Sequence, residues 1–273
     1  MTQAASAAPS AGAASNSLAD FISGTLAIAE VEVRKLLRDP TELATRAVQP
    51  VLWLLVFGQV FSRVRAIPTG QLTYVEFLAP GILAQGVLFA AIFYGIAVIW
   101  ERDLGIVHKL LVSPAPRASL VLGKGIAAGL RGVPQAIIIY LLAALLGVRL
   151  RFDPASLLGV TAFVMLGSAA FATFSLTIAC VVKTRERFMG IGQLLTMPLF
   201  FASNAIYPID MMPQWLRVLA RLNPLTYLVD GLRATMIHQA GSHIGLGLDI
   251  AVEVVMLAIL VTLAARLYPD LAH

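Results

Sequence analysis

An all-α fold that crosses a lipid bilayer about six times is predicted by three features of this sequence. Hydrophobic residues make up 59% of the 273 residues and charged ones only 13%, against about 25% charged in an ordinary soluble domain. The mean hydropathy is +0.84, more apolar side chain than a soluble fold of this length can hide. The apolar residues also fall into runs of about 20, the length a helix needs to cross about 30 Å of hydrocarbon at 1.5 Å per residue.

Taken in order, residues 1–17 are mostly Ala and Ser without a charged side chain. They lack the basic start and apolar core of a secretory signal and are expected to form a disordered cytoplasmic tail. Over 18–40, Leu18, Ile22, Leu26, Ala29, Val33 and Leu36 recur at helical spacing, with Glu30, Glu32, Arg34, Lys35 and Arg38 between them. That pattern predicts an amphipathic helix, lying in the headgroup plane or packed on a partner, and broken by Asp39-Pro40. Six spans are expected near 46–62, 78–99, 126–147, 157–182, 188–206 and 247–267. Gly and Pro inside several of them are tolerated in lipid because neighbouring helices satisfy the freed backbone groups.

Orientation follows from Lys and Arg. With the N-terminus inside, twelve of them, from Arg34 to Arg266, fall on the cytoplasmic side, seven fall opposite, and Arg131 lies within the third span. Both termini are therefore placed in the cytoplasm. The net charge of +5 suits loops facing anionic lipid rather than nucleic acid, for which no basic, aromatic-studded soluble face remains. The single cysteine, Cys180, sits in an apolar run, so there is neither an internal disulfide nor a cysteine metal site.

No catalytic constellation is found. Gly123-Lys124 lacks the earlier glycine and the following hydroxyl of a phosphate loop, and no metalloprotease or hydrolase signature is present. His108, His238, His243 and His273 are scattered and read as solvated surface. The ionisable residues noted within the spans are Arg131 and Glu253. Both lie near span ends, where snorkelling to the interface is expected. The chain thus has no nucleotide site and no proton relay of its own to drive alternating access, and the expectation is a non-enzymatic transport subunit without a cofactor. A lipid-modifying membrane enzyme would need clustered Asp, His or Ser in the spans. A secondary transporter would need a buried carboxylate, for which Glu253 alone stands.

Two segments carry more information. Between the second and third spans, 100–124 begins with charges and then places Leu104, Val107, Leu110 and Leu111 on one helical face before Pro114 and Pro116 end it. A short cytoplasmic helix of this kind offers a grip to a soluble partner, or rests on the bilayer. The connection 205–238 is too long for a turn and too apolar for a soluble loop. It predicts one short helix after Pro213 and another after Asn223-Pro224, with Arg233 three residues after Asp230 and so within reach of a local ion pair. The two helices dip into the membrane or lie flat on it. Small residues of the second span (Gly81, Ala84, Gly86) and the fourth (Gly167, Ser168, Ala169, Ala170) are expected to permit close helix approach along a dimer interface.

The stretches FLAPGI (77–82), WERDLGIVHKLLVSPAPRASLVLGK (100–124) and SNAIYPIDMMPQWLRVLARLNPLTYLVDGLRA (203–234) resemble type-2 ABC transporter permeases, especially the daunorubicin-resistance-like drug exporters. The resemblance covers nearly the whole chain after about residue 18. It implies a permease dimer, with a second copy or a sister permease, above two copies of a separate ABC ATPase that holds the ATP and Mg. It also implies residence in the bacterial plasma membrane and export of an amphipathic drug, lipid or lipid-linked glycan. On that pattern Glu101, Arg102, Gly105, Lys109, Leu110, Leu111 and Pro114 belong to the ATPase-coupling segment. Pro208, Pro213, Asn223, Pro224, Asp230 and Arg233 belong to a re-entrant outer gate.

Overall fold

A computed structural model describes residues 17–38, 48–64, 67–112, 116–182 and 184–269. They form an all-α bundle of a polytopic membrane protein. The expected tail, apart from Ser17, the Asp39-Pro40 break and Pro114 lie outside the described residues.

The helices are α1 (Ser17–Arg38), α2 (Val48–Val64), α3 (Tyr74–Asp103), α4 (Ile106–Val112), α5 (Arg117–Leu145), α6 (Pro154–Val181), α7 (Arg185–Phe201), α8 (Gln214–Leu222), α9 (Pro224–Met236) and α10 (Leu246–Leu267). Of these, α3, α5, α6 and α10 are long and apolar enough to cross a membrane. Helix α2 is a shorter apolar helix with a π-helical turn over Trp53–Gly58, where Trp53 stacks on Phe57 and meets Phe200 edge-on. Helix α7 has only 17 residues.

Local sequence sets the helix starts. Thr73 and Glu76 form a reciprocal capping box at α3. Asp153 accepts the Ser156 amide at 3.0 Å and is followed by Pro154 in the first turn of α6. That amide bond holds the Asp153 carboxyl below its ordinary value. Several helices outrun the hydropathy runs, because a polar first or last turn is invisible to an apolarity search: the second expected span, 78–99, belongs to a helix of 30 residues.

Helix α6 is the hub, packed against α3, α5, α9 and α10. Lipid gives apolar side chains no reason to prefer protein, so close contact of small residues must hold the helices together. At Gly129 an added Cβ would lie 2.9 Å from the Met165 carbonyl oxygen, and at Gly167 2.6 Å from Leu228. The small residues expected to line a dimer seam are therefore occupied inside the chain. Gly81 faces Ala205, Gly86 faces Gln135, and Ser168 faces Gly132.

One end of the bundle, the Asp103 end, gathers α1, α4, the starts of α5 and α7, and the finish of α10. The Asp153 end gathers α9's finish and the loops around 67–73, 146–153 and 237–245. Helix α1 packs on α5, with Thr25 and Ala29 buried while Ile22 and Leu26 stay exposed. The expected single apolar face is thus split between the bundle and the outside. The Thr25 main chain comes so near α5 that a Cβ at Gly123 would lie 2.7 Å from its carbonyl oxygen.

The fifth expected span, 188–206, is helical only as far as Phe201. Residues 202–208 are irregular yet buried at Ser203, Asn204 and Ala205. Side chains satisfy this backbone: Tyr74 donates to the Ile206 carbonyl at 3.3 Å, Arg233 to that of Asn204 at 2.8 Å, and Tyr207 to that of Phe201. Non-helical backbone inside a membrane bundle requires such partners. A Cβ at Gly81 would stand 2.3 Å from the Ala205 carbonyl oxygen, and backbone cannot step aside as a flexible side chain can. Gly81→Ala should therefore cost about 1–3 kcal/mol, read as a lower thermal midpoint of the purified protein. An unchanged midpoint would refute this packing.

Candidate functional site

At the Asp103 end, α3 closes on Glu101, Arg102 and Asp103, and the chain reverses through Gly105. Its φ of +71° lies in the left-handed region that glycine enters without penalty. The Gly105 amide donates to the Arg102 carbonyl at 2.9 Å and the Leu104 amide to that of Trp100 at 3.0 Å, closing the helix end. Helix α4 then runs for 7 residues.

The expected apolar face of this segment divides in two. Val107 is fully buried and Leu110 packs on the bundle core, whereas Leu104 is 68% exposed. The outward surface is made by Leu104, His108, Lys109 and Val112. Leu111 lies in α4.

Charges brace this corner. Lys124 of α5, which the charge pattern places among the cytoplasmic cations of the 100–124 loop, is buried with its Nζ 2.5 Å from Glu101. It lies over the Tyr94 ring, as does Arg131 about two turns further along α5. Arg131 sits at the middle of α5, not near its end, and in place of the expected snorkelling it stacks on Tyr94 within the bundle. Arg102 and Arg185 both bind Asp103, at 2.7 and 2.6 Å, and Arg185 covers Trp100. The last turn of α3 is thereby tied to α5 and to the start of α7. Nothing in the spacing of Glu101 and Lys124, 23 residues apart, announces that pair.

At the Asp153 end, Pro208 immediately precedes a short 3-10 turn and Pro213 immediately precedes α8. Asn223 ends α8 and caps α9: its Oδ1 accepts the Leu225 amide at 3.0 Å and its Nδ2 donates to the Leu199 carbonyl at 2.6 Å. Pro224 occupies the first turn of α9. Helix α9 runs antiparallel to α6, with Thr235 beside Gly159, Gly231 against Phe163 and Leu228 against Gly167. Since Gly167 is half-way along α6, α9 lines only the Asp153-end half of it.

The expected Asp230–Arg233 ion pair does not form. Arg233 turns to the carbonyls of Asn204 and Phe77, at 2.8 and 3.3 Å, and lies over the Phe77 ring. Asp230 instead accepts from Ser242 and from the Ile244 amide. Glu76, overlooked because it precedes the second apolar run, holds Arg149 at 2.8 Å, and that hydrogen bond raises the Arg149 guanidinium above its ordinary value. Asp249 was also overlooked, and Glu253 was expected to snorkel; both are fully buried on the inner face of α10. Two acids one turn apart in an apolar helix were the signal available.

Between α2, α3 and α5 lies a cavity of about 350 Å³, lined by Gln49, Gln85, Phe89, Phe93 and Gln135 among others. Gln85 is almost wholly buried, and its Oε1 has no hydrogen-bond partner. Amides set among aromatic rings suit a ligand that is apolar with a few hydrogen-bonding groups.

A polytopic helical bundle that presents a short braced helix at one end and a largely apolar, amide-bearing cavity among its helices is the architecture of a membrane permease. The chain belongs to the ABC-2 type transporter family, whose model matches residues 24–237. It is 31% identical over 209 residues to the transport permease ycf38 of Cyanophora paradoxa, covering 76% of this chain and 71% of that protein. The daunorubicin resistance ABC transporter permease protein DrrB1 of Streptomyces coeruleorubidus is 23% identical over 229 residues, 84% of this chain and 80% of that one. Nodulation protein J of Rhizobium leguminosarum bv. viciae is 24% identical over 217 residues, 79% of this chain and 82% of the relative. The protein is thus a membrane permease of an ABC transporter, a transport subunit.

Proposed function

We propose that this permease exports an amphipathic drug, lipid or lipid-linked glycan, driven by ATP hydrolysis in a separate ATPase, two copies of which dock on a dimer of permeases. The observation that carries this reading is α4. Its inner side is anchored by Val107 and Leu110, its root is braced by Glu101–Lys124, and its outer side offers Leu104, His108, Lys109 and Val112. A rigid stub joined to α3 by one turn transmits a push, whereas a flexible loop would absorb it. In this reading the Asp103 end faces the cytoplasm of a bacterium, with its inner-membrane lipids around the bundle and both termini on that side. The six spans are α2, α3, α5, α6, α7 and α10. Helices α8 and α9 form a re-entrant pair that closes the far side, and the amide-lined cavity lies on the cargo path.

The test is reconstitution of the permease with a P-loop ATPase partner in lipid vesicles, following ATP-driven movement of a fluorescent amphiphile. Gly105→Val forces a branched side chain into left-handed backbone, shifting α4 while leaving the bundle intact. It should lower transport about tenfold or more, corresponding to about 1.4 kcal/mol or more of lost coupling. Membrane insertion should stay normal. Full transport by Gly105→Val would overturn the coupling role of α4.

A further inference from the structure

We propose that Asp230, Ser242 and Asp249 form a proton-binding latch that fastens α9 to α10 and releases when its proton leaves. This goes beyond export and does not depend on the ATPase.

Hydrogen counting supports it. The Ser242 hydroxyl lies 2.8 Å from Asp230 Oδ2 and 3.0 Å from Asp249 Oδ2, and its oxygen accepts the Gly245 amide at 2.5 Å. A serine hydroxyl has one hydrogen to donate and two lone pairs. It can therefore serve one carboxylate only. The other contact becomes a hydrogen bond when that carboxyl carries a proton and donates it to the remaining Ser242 lone pair. One bound proton completes the arrangement, and without it two carboxylates on different helices flank a single donor.

Burial makes that proton matter. Asp230 is 1% exposed, and Asp249 and Glu253 are 0% exposed. Asp230 Oδ1, Asp249 Oδ1 and both Glu253 oxygens have no hydrogen-bond partner. Glu253 stands one helical turn beyond Asp249 on the same face, extending the line inward.

The helices packed against α10 are α5, α6 and α9. Helix α6 has no Asp, Glu, Lys, Arg or His, and its one titratable group is Cys180 near the opposite end. On α5 the charged groups are Arg117, Lys124 and Arg131, with Lys124 held by Glu101 and Arg131 over Tyr94; Tyr140 is the remaining titratable group. On α9 the titratable groups are Asp230 itself, Tyr227, which donates to the Arg221 carbonyl, and Arg233, whose Nη2 is spent on two carbonyls while its charge still attracts the Asp230 carboxylate; α3, packed on α9, adds at that end Tyr74, which donates to the Ile206 carbonyl, and Glu76, held by Arg149. In the connecting loop His238 and His243 are exposed. No ion pair reaches Asp249 or Glu253 from any of these elements.

Solvent has a route. Asp230 lines a cavity of about 380 Å³ at the Asp153 end, together with Thr69, Asp210, Gln239 and His243. The latch proton passes from the carboxyl to water entering there, leaving a carboxylate. The closed seam binds this proton more tightly than the open one, so its stabilisation is complete at low pH and fades as pH rises. Two like charges in a low-dielectric seam then repel.

Hydrogen–deuterium exchange on the full-length permease in lipid nanodiscs, corrected for intrinsic rates at each pH, reads the latch through the Ile244 and Gly245 amides that it holds. Protection of this loop should fall about tenfold or more between mildly acidic and alkaline pH, the factor for one unit of difference in proton affinity. Asp249→Asn, which keeps the shape without the charge, should leave protection high at both pH values. Ser242→Ala should leave it low at both, and it serves as the test if Asp249→Asn fails to insert. His243→Gln should retain the wild-type response. Protection independent of pH in the wild type, an unaltered pH response in Asp249→Asn or Ser242→Ala, or its loss in His243→Gln, would each overturn the latch.

Discussion

Replacing Glu101 by Ala will cost the permease stability as well as transport. The carboxylate faces Lys124 at 2.5 Å, and the two side chains are 12% and 2% exposed. Removing one partner of a buried pair leaves the other charge uncompensated, which costs about 3–5 kcal/mol. The ammonium stays over the Tyr94 ring, 5.9 Å away, a contact worth about 2 kcal/mol at most and so smaller than the loss. The thermal midpoint should fall accordingly, and the tie between the last turn of α3 and α5 should fail with it. The double change Glu101→Met with Lys124→Met separates structure from docking. Paired apolar replacement of a buried ion pair is close to neutral for stability, so the midpoint should return to near wild type. Because Glu101 faces into the bundle, ATP-driven transport should return too. A double variant that is stable but still inert would show instead that the ATPase reads the Glu101 charge directly.

The long apolar helices α3, α5, α6 and α10 were legible because lipid imposes length and apolarity together, and few other folds satisfy both. The helix break at Asn223-Pro224 was legible because those residue types make the local geometry nearly obligatory; the turn at Gly105 and the cap at Asp153 obey the same local rules but were not read from the sequence. What escaped depended on pairing across the bundle. Periodicity could find the stripe Gly81, Ala84, Gly86 but could not say whether Ala205 and Gln135 or a second chain fills it. Lys124 looked like a loop charge because its partner is distant in sequence. The run 188–206 looked like one span because Ser203-Asn204 is a weak break; it is the tertiary hydrogen bonds, above all from Arg233, that let the chain leave the helix at Phe201 while still buried.

Arg233 is accordingly the side chain whose loss should be felt furthest from its own position. It is 7% exposed, and its Nη2 reaches the carbonyls of Asn204 and Phe77 while the guanidinium lies 4.0 Å from the Phe77 ring centre. It stands in the last turn of α9, where a cation is favoured by the helix dipole. Arg233→Met fills similar space but leaves a buried irregular carbonyl at Asn204 without a donor. Hydrogen bonds from charged donors are worth about 1.5–3 kcal/mol each, and orphaned buried acceptors add to the loss. About 3 kcal/mol or more should therefore go from global stability, read as a lower thermal midpoint. Amide protection should be lost first over 202–208, the segment that Arg233 holds, rather than over α6 or α3. Arg233→Lys keeps a charge that can reach a carbonyl but not the flat stacking on Phe77, and should recover only part of the midpoint. If Arg233→Met leaves exchange over 202–208 at the wild-type rate, the strap is not what keeps that backbone in place, and the contact of Ala205 with Gly81 must suffice alone.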